Sequence, residues 1–338
     1  MSLSARSAPP DNGTMERDPL FSAASFAGGA PSLHNSQPWH WYVGREILEL
    51  RLEPDRVLPS SDPAARLAVL SCGVALHHAR LHLAAAGLVV TVQRVPDVGD
   101  PGLLARLHLV ATAAPDRDAV RLADAAAVRR TDRRELPGAP VDYHRIHRVR
   151  AAVRAQGPEL TPLLPLQVLA LGRTVELARA AEATHAGRQR ELSRWVGVER
   201  RTGAGVPAGA LPAGPHRVIT PAQALRRPGA DLVADSREHA AVFTLLHGPA
   251  GRRGDWLRAG EGLSAGWLTA TALDVALLPL SLVLEGGELP PGLPGGTDQP
   301  YLVVRLSTGT PDPLPPTPRL DPEVTVTTVV QRRRLPRG

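Results

Sequence analysis

Two stretches of the chain are apolar on every side of the helix that each would form. Residues 64–86 and residues 257–273 are rich in Ala, Leu and Gly and carry few charges. A helix without a polar face is buried on all sides, so these two segments predict a helical core. They constrain the rest of the chain, because every other element has to be placed around them.

The two apolar helices match each other at a constant offset of 187 residues. The matched pairs are Gly73 with Gly260, Leu76 with Leu263, Leu81 with Leu268, and Ala85 with Ala272. Two Ala- and Leu-rich helices can match by chance, but each helix here also continues into a short apolar extended segment. This continuation favours an internal duplication, which implies a pseudo-two-fold arrangement with a site where the halves meet.

Shorter elements surround the two apolar helices. Alternating residues predict strands, and Ala-, Arg- and Glu-rich stretches with amphipathic spacing predict further helices. The predicted strands are a hairpin at 40–52 and the segments 88–95, 103–112, 239–246, 276–283 and 301–306, and the predicted helices are 118–129, 142–156 and 174–201. Residues 203–227 are rich in Gly, Pro and Ala, and a loop of this length is either disordered or a lid.

Charge and composition argue against a nucleic-acid partner. All 39 basic residues are Arg, and the formal net charge is +6, but Arg is dispersed among Asp and Glu along the whole chain. Aromatic residues make up 3% of the chain, too few to interleave with Arg as stacking platforms for bases.

Cysteine content and hydropathy favour a cytoplasmic protein without a membrane partner. Cys72 is the single cysteine, which leaves no internal disulfide and favours a reducing compartment. No run of about 18 apolar residues indicates a membrane span. Residues 1–20 lack the charged and apolar regions of a signal peptide, and we expect residues 1–24 to be a disordered lead.

A neutral polar loop precedes the first predicted strand. Residues 30–39 carry Ser32, Asn35, Ser36 and Gln37 between two prolines that stiffen the backbone. Neutral donors and acceptors on a stiff loop suit a planar, heteroatom-rich ligand better than a phosphate or a metal.

An arginine motif follows the predicted helix 118–129. Arg129-Arg130-Thr131-Asp132-Arg133-Arg134 places four guanidinium groups and one hydroxyl within six residues. Like charges this close repel one another, and a dianion such as phosphate would remove that penalty. A solvated basic helix end is the alternative, since Arg near a helix C-terminus is favourable in any case.

Three histidines and the cysteine lie in the first apolar helix. His78 and His82 are four residues apart, which is the spacing of a metal-binding pair, but no third ligand is indicated nearby. We therefore interpret His77, His78 and His82 as ordinary helix residues. Cys72 is more consistent with a small buried apolar side chain than with a nucleophile.

The polar loop and the arginine motif together resemble the motifs of one family. Residues 30–39 resemble the A-P-S-x-x-N-x-Q-P-W loop of the nitroreductase family of FMN proteins, and residues 129–133 resemble its R-R-S-x-R stretch. In this chain the order is inverted, and about 90 residues separate the motifs. That order, the duplication and the lid candidate are similar to the Acg-like branch, whose members look like a nitroreductase dimer folded into one chain.

The resemblance covers about residues 25–325 and implies a fold and a domain organisation. The implied fold is α+β and nitroreductase-like, internally duplicated, with mixed or antiparallel sheets packed on a buried helical core. The implied organisation is a first half at 25–115, a second half at 116–325 with a lid insertion at about 203–227, and a basic tail at 326–338. Such a chain is a monomer with an internal pseudo-two-fold axis or a homodimer.

The resemblance also implies one FMN site. The residues that would line the isoalloxazine ring are Ser32, Asn35 and Gln37. The residues that would hold the phosphate are Arg129, Arg130, Thr131 and Arg133, together with Arg319 near the C-terminus. A backbone amide in Pro279-Leu280-Ser281 would face flavin N5. Asp274 and Leu280 depart from the family, which often has Gly and Glu at these two positions.

Two functions are consistent with such a site, and both involve small-molecule ligands. A catalytic member would transfer hydride from NAD(P)H, as co-substrate, to an electron-poor acceptor, with the chemistry at the flavin and no catalytic side chain. The alternative is a flavin-sequestering protein in which residues 203–227 fold over the FMN and exclude the nicotinamide.

Overall fold

The computed structural model places helices and strands around a main apolar core, with two smaller apolar clusters beside it. It describes residues 18–134, 138–197, 203–211, 240–249, 251–281, 292–309 and 314–329. The helices are α1 (Pro19–Ala27), α2 (Arg66–Ala85), α3 (Arg117–Val128), α4 (Tyr143–Arg154), α5 (Pro165–Thr184), α6 (Ala186–Trp195), α7 (Arg253–Thr271) and α8 (Pro322–Thr325). The strands are β1 (Trp39–Val43), β2 (Ile47–Leu52), β3 (Leu88–Arg94), β4 (Leu103–Thr112), β5 (Glu159–Pro162), β6 (Val242–Gly248), β7 (Ala276–Leu280), β8 (Gln299–Ser307) and β9 (Val326–Thr328).

The strands form two sheets in an α+β arrangement. The first sheet has the order β3-β4-β2-β1-β9, and the second has the order β5-β6-β8-β7. All neighbours are antiparallel except β9, which adds parallel to β1 with Val326 opposite Trp41. Because β9 comes late in the chain, the segment before it crosses back to the sheet that contains the first strands.

The first four strands and the next four are arranged in the same way. Without β9, the first sheet reads β3-β4-β2-β1, and the second, read from its other edge, is β7-β8-β6-β5. In each sheet a helix precedes the first strand, and an apolar helix, α2 or α7, joins the second strand to the third. Helices α5 and α6 come between β5 and β6, where the first sheet has only the turn at residues 44–46.

Helices α2 and α7 cross at two glycines in the centre of the core. A side chain on Gly73 would bring its Cβ within 2.0 Å of the Leu257 carbonyl oxygen, and one on Gly260 within 1.9 Å of the Leu70 carbonyl oxygen. The contact is reciprocal, because the leucine precedes the glycine by three residues in both helices. Only Gly allows two helix backbones to approach this closely.

Helix α2 has the length and composition of a membrane-spanning helix, but it is a core helix. The mean hydropathy of its most apolar window is 1.2, whereas we expected from the sequence no segment apolar enough to span a membrane. Of that window, 83% is buried inside the protein. Cys72 lies in this helix, where its thiol donates to the Pro38 carbonyl oxygen at 3.1 Å. Burial raises the pKa of the Cys72 thiol, as expected for a structural cysteine.

Three boundaries differ from the sequence-based predictions. Helix α1 begins inside the expected disordered lead, because the Asp18 side chain caps it and Pro19 suits its first turn. The predicted helix at 174–201 is two helices, because His185 has an extended backbone and caps α6. Residues 326–328 of the predicted tail form β9. The remainder of the lead and the tail, residues 1–17 and 330–338, and residues 212–227 of the lid candidate lie outside the described residues.

Candidate functional site

The opening loop, residues 32–37 between α1 and β1, has a strained backbone. Three of its residues are left-handed without being Gly, with φ of 47° at His34, 54° at Asn35 and 51° at Gln37. Each such conformation costs about 1–3 kcal/mol and persists only where surrounding contacts and hydrogen bonds fix it. One of these bonds is donated by the Gln37 backbone N–H to the Ser32 hydroxyl, 2.8 Å away.

The side chain of Asn35 connects the opening loop to two distant segments. It is 5% exposed, and its Nδ2 donates to the carbonyl oxygens of Gly203, Gly205 and Pro318 at 3.1, 2.9 and 3.0 Å. The first two carbonyls belong to the described start of the lid candidate. The third belongs to the arginine arm, which we define as residues 317–320.

The side chain of Gln37 connects the same segments. It is fully buried, and its Nε2 donates to the Gly203 carbonyl oxygen at 3.1 Å. Its Oε1 accepts from the backbone N–H of Leu320 at 3.0 Å. The predicted ring-lining residues therefore hold the opening loop, the start of the lid candidate and the arginine arm together.

Arg129 is buried at the end of α3. Its guanidinium stacks on the Trp267 ring, 4.6 Å from the ring centroid, and its Nη1 lies 3.4 Å from the Thr131 hydroxyl. Burial and the nearby cations Arg319 and Arg130 lower the pKa of Arg129 to about 9. Its Nε is enclosed and has no hydrogen-bond partner among the residues that the structure describes. A cation in this environment is stabilised by an anion.

Arg130 and Arg319 complete what we call the arginine cluster (Arg129, Arg130 and Arg319). Arg130 Nε donates to the Leu314 carbonyl oxygen at 3.3 Å, and Arg319 Nη2 donates to that of Gly29 at 3.2 Å. Burial and Arg130 lower the pKa of Arg319 to about 10. Across the described ranges, no carboxylate lies within ion-pair distance of these three guanidinium groups. The repulsion among them favours an anionic ligand.

Arg133 brings the arginine motif to the opening loop. It lies near His34, whose pKa falls to about 4 because the ring is buried and because Arg133 is positive, while Glu191 acts in the opposite direction. Asp132 does not neutralise the cluster, because it accepts from Arg134 Nε at 2.9 Å and Nη2 at 2.8 Å. The two motifs, about 90 residues apart in sequence, therefore meet in the fold.

The segment predicted to face flavin N5 lies at the edge of the second sheet. Leu280 is the last residue of β7, opposite Val303 of β8, and it is buried in an apolar cluster with Phe243. Among the residues that the structure describes, no hydrogen bond joins Pro279-Leu280-Ser281 to the opening loop or to the arginine cluster. The role of this segment toward a flavin stays a prediction.

Two residues near the site were missed by sequence reasoning. Glu191 accepts from the backbone N–H groups of Ser60 and Ser61 at 3.0 and 2.9 Å, which docks α6 before the start of α2. Its position on an amphipathic helix gives no signal of this contact. Trp267, on which Arg129 stacks, does have a signal, because it is the large aromatic residue inside the apolar stretch 257–273.

His77 and His78 of α2 are structural. The Ser264 hydroxyl lies 2.9 Å from His77 Nδ1 and 3.1 Å from His78 Nδ1, so it bridges α2 and α7. Burial lowers the pKa of both histidines to about 3, which keeps both rings neutral. In the described part of the chain no three His, Cys, Asp or Glu side chains are grouped to hold a metal.

Comparison with known proteins identifies the family. No protein-family model matches the chain. It is 37% identical over 308 residues to Rv3131 of Mycobacterium tuberculosis (strain H37Rv), provisionally named an NAD(P)H nitroreductase, with 87% of each protein covered. It is 34% identical over 328 residues to Acg of the same strain, also provisionally named an NAD(P)H nitroreductase, with 89% of this chain and 93% of Acg covered. The chain therefore belongs to the Acg-like branch of the nitroreductase family.

Proposed function

We propose that this protein binds one FMN per chain and acts as an NAD(P)H-dependent oxidoreductase. The observation that carries the proposal is the arginine cluster, in which three close guanidinium groups lie beside a neutral polar loop without a carboxylate partner in the described ranges. A ligand with a dianionic end and a planar neutral end fits both parts. The relationship to proteins named as NAD(P)H nitroreductases supports the same ligand.

The donors in the site suit a flavin phosphate, because the enclosed Nε atoms of Arg129 and Arg319 have no partner in the described part of the chain. The phosphate oxygens would be bound by Arg129, Arg130, Thr131, Arg133 and Arg319. The opening loop, whose Ser32, Asn35 and Gln37 the family resemblance assigns to the isoalloxazine ring, would lie on the ring side of the site, and a backbone amide in Pro279-Leu280-Ser281 would face N5. When bound, FMN supplies hydride transfer from a reduced nicotinamide to an electron-poor acceptor. The protein holds the phosphate, orients the ring and excludes water.

We also propose that the chain is internally duplicated and contains a complete site as a monomer. The matching strand orders and the reciprocal contact at Gly73 and Gly260 support this proposal. The offset of 187 residues also relates His77 to Ser264, which contact each other across the core. One flavin per chain is supported by the length of the connection before the first strand of each half. Residues 28–38, which contain the opening loop, precede β1, whereas only residues 155–158 precede β5.

Flavin analysis of the purified protein tests the proposed function. We expect a yellow protein whose denatured extract contains one FMN per chain. Anaerobic mixing with NADH or NADPH should bleach the flavin, and an electron-poor acceptor should restore its colour. A protein that contains no flavin, and takes up none when FMN is added, would contradict the proposal.

A flavin-sequestering protein is the second candidate. The observation behind it is the attachment of the described start of the lid candidate, where the carbonyl oxygens of Gly203 and Gly205 accept from Asn35 of the opening loop. In that case NADH and NADPH would leave the bound flavin oxidised, and only dithionite would bleach it. The same anaerobic experiment therefore distinguishes the two functions.

A further inference from the structure

The side-chain amides of Asn35 and Gln37 have no free donor for a ligand. A primary amide has two N–H donors. Asn35 Nδ2 lies 2.9–3.1 Å from three carbonyl oxygens, and Gln37 Nε2 lies 3.1–3.3 Å from two. Gln37 Oε1 accepts from Leu320, and Asn35 Oδ1, although it has no partner within the described ranges, is enclosed by the protein. Neither amide is therefore available to bond a flavin ring.

The bonds of these amides bracket Arg319. Asn35 binds the carbonyl of Pro318, the residue before it, and Gln37 binds the N–H of Leu320, the residue after it. Gly203, which both amides also hold, packs on the carbonyl of Arg319 itself, because a Cβ on Gly203 would come within 2.0 Å of that oxygen. The backbone of Arg319 is thus fixed from three directions.

This bracket has an electrostatic consequence. The guanidinium of Arg319 lies near those of Arg129 and Arg130, and like charges repel one another. An unconstrained arginine arm would move toward solvent, whereas the bonds to Asn35 and Gln37 keep it in place before an anion arrives. A preorganised cation binds more tightly, because less ordering remains for the binding step.

We propose that Asn35 and Gln37 are positioning residues, which hold Arg319 in place for the ligand's phosphate and do not contact its ring. The proposal rests on the proposed FMN site and gives the two amides a role different from the one that the family resemblance implies. Loss of either amide should weaken ligands that carry a phosphate and spare ligands that lack it.

Binding of FMN and riboflavin separates the two roles, because these flavins differ only in the phosphate. Quenching of flavin fluorescence on titration of the apoprotein gives both Kd values for the wild type, Asn35→Ala and Gln37→Ala. We expect the FMN Kd to rise by about tenfold or more and the riboflavin Kd to change by less than about twofold. An equal rise for both flavins would overturn the inference, because loss of a ring contact affects both.

Arg319→Ala provides the reference variant. It should show the same selective loss of FMN affinity. Adding Gln37→Ala to Arg319→Ala should weaken FMN binding little further, since both changes remove the same contact with the phosphate. Fully additive losses would also overturn the inference. Gln37→Met preserves length and volume and replaces Gln37→Ala if the latter does not fold.

The matched control is Gln167→Ala. Its amide also joins two segments, accepting from the Leu164 N–H and donating to the Gly292 carbonyl oxygen, so its loss should leave both Kd values unchanged. A wild-type protein that binds neither flavin would reject the FMN site itself, which is distinct from an equal loss for both flavins.

Discussion

Two groups of arginines lie beside the core helices, and they differ in whether the protein supplies a counter-ion. Arg80 Nη1 and Arg94 Nε lie 2.5 and 2.6 Å from the carboxylate oxygens of Glu261, which is 0% exposed. The arginine cluster has no such carboxylate within the ranges that the structure describes. A buried cation without a partner costs stability. Under the proposed function, the difference separates arginines that serve the fold from arginines that would bind a ligand.

The proposed duplication places the two groups on matching sides of the helix pair. At the offset of 187 residues, Arg80 corresponds to Trp267, on which Arg129 stacks, and Glu261 corresponds to Val74. Arg80 also donates to Gln156 at 3.0 Å, in the short connection that stands where the first half has the opening loop. The side of the helix pair that carries Arg80 and Glu261 is filled by the protein's own ion pairs. A second flavin would then have no site there, which would explain a single flavin per chain.

The largest effect is expected from the arginine motif. Each charge-assisted bond to a phosphate contributes roughly 1.5–3 kcal/mol, so Arg130→Ala combined with Arg133→Ala should lower FMN affinity by roughly 10²–10⁴-fold. Titration of the apoprotein with FMN measures this loss. Arg154→Ala, which removes an exposed partner of Glu159, is the control and should change nothing. Unchanged flavin occupancy in the double variant would refute the phosphate assignment.

The second largest effect is expected on stability, at the ion pairs of Glu261 with Arg80 and Arg94. Glu261→Gln leaves Arg94, which is 17% exposed, without its counter-ion, and should lower the free energy of unfolding by about 3–5 kcal/mol. Urea denaturation measures this change. The matched control is Glu159→Gln, since Glu159 pairs with the exposed Arg154 and should contribute below about 1 kcal/mol. Equal losses of unfolding free energy in the two variants would show that the ion pairs of Glu261 contribute no more to stability than an exposed pair.

The core and the two motifs could be predicted because their signals are local. Helices α2 and α7 follow from composition over about twenty residues, and the β1–β2 hairpin follows from alternation and a turn. The meeting of the loop with the arginine motif came from the family resemblance, since no periodicity relates residues 30–39 to residues 129–133. The strand orders followed from neither source.

The contacts that shape the site could not be predicted, because they join residues far apart in sequence. Asn35 is 170 residues from Gly205 and 283 from Pro318. The neutral side chains of the loop showed which donors were present, but their direction depends on tertiary packing. The same applies to Glu261, because the pattern of 39 arginines does not indicate which of them a buried carboxylate will meet.

The smallest effect concerns pH where the opening loop meets the arginine motif. Burial and Arg133 lower the pKa of His34 to about 4, against the opposing charge of Glu191, whereas a histidine in the unfolded chain titrates near pH 6.5. Between these values the unfolded state binds a proton that the folded state does not. The free energy of unfolding therefore falls as the pH drops from about 6.5 to 4, and His34 should account for about 2 kcal/mol between pH 7 and pH 5.

The variant His34→Asn isolates this contribution, because Asn also tolerates the left-handed backbone at this position. Urea unfolding at pH 7 and pH 5 should show a smaller acid-induced loss in this variant, by about 2 kcal/mol. His144→Asn, at an exposed position on α4, should retain the full loss. If His34→Asn retains it as well, the His34 ring is not buried beside Arg133 in the folded protein. Arg133 would then have no fixed relation to the opening loop, and its assignment to the phosphate would lose this support, whereas Arg319 would still be held by its own contacts.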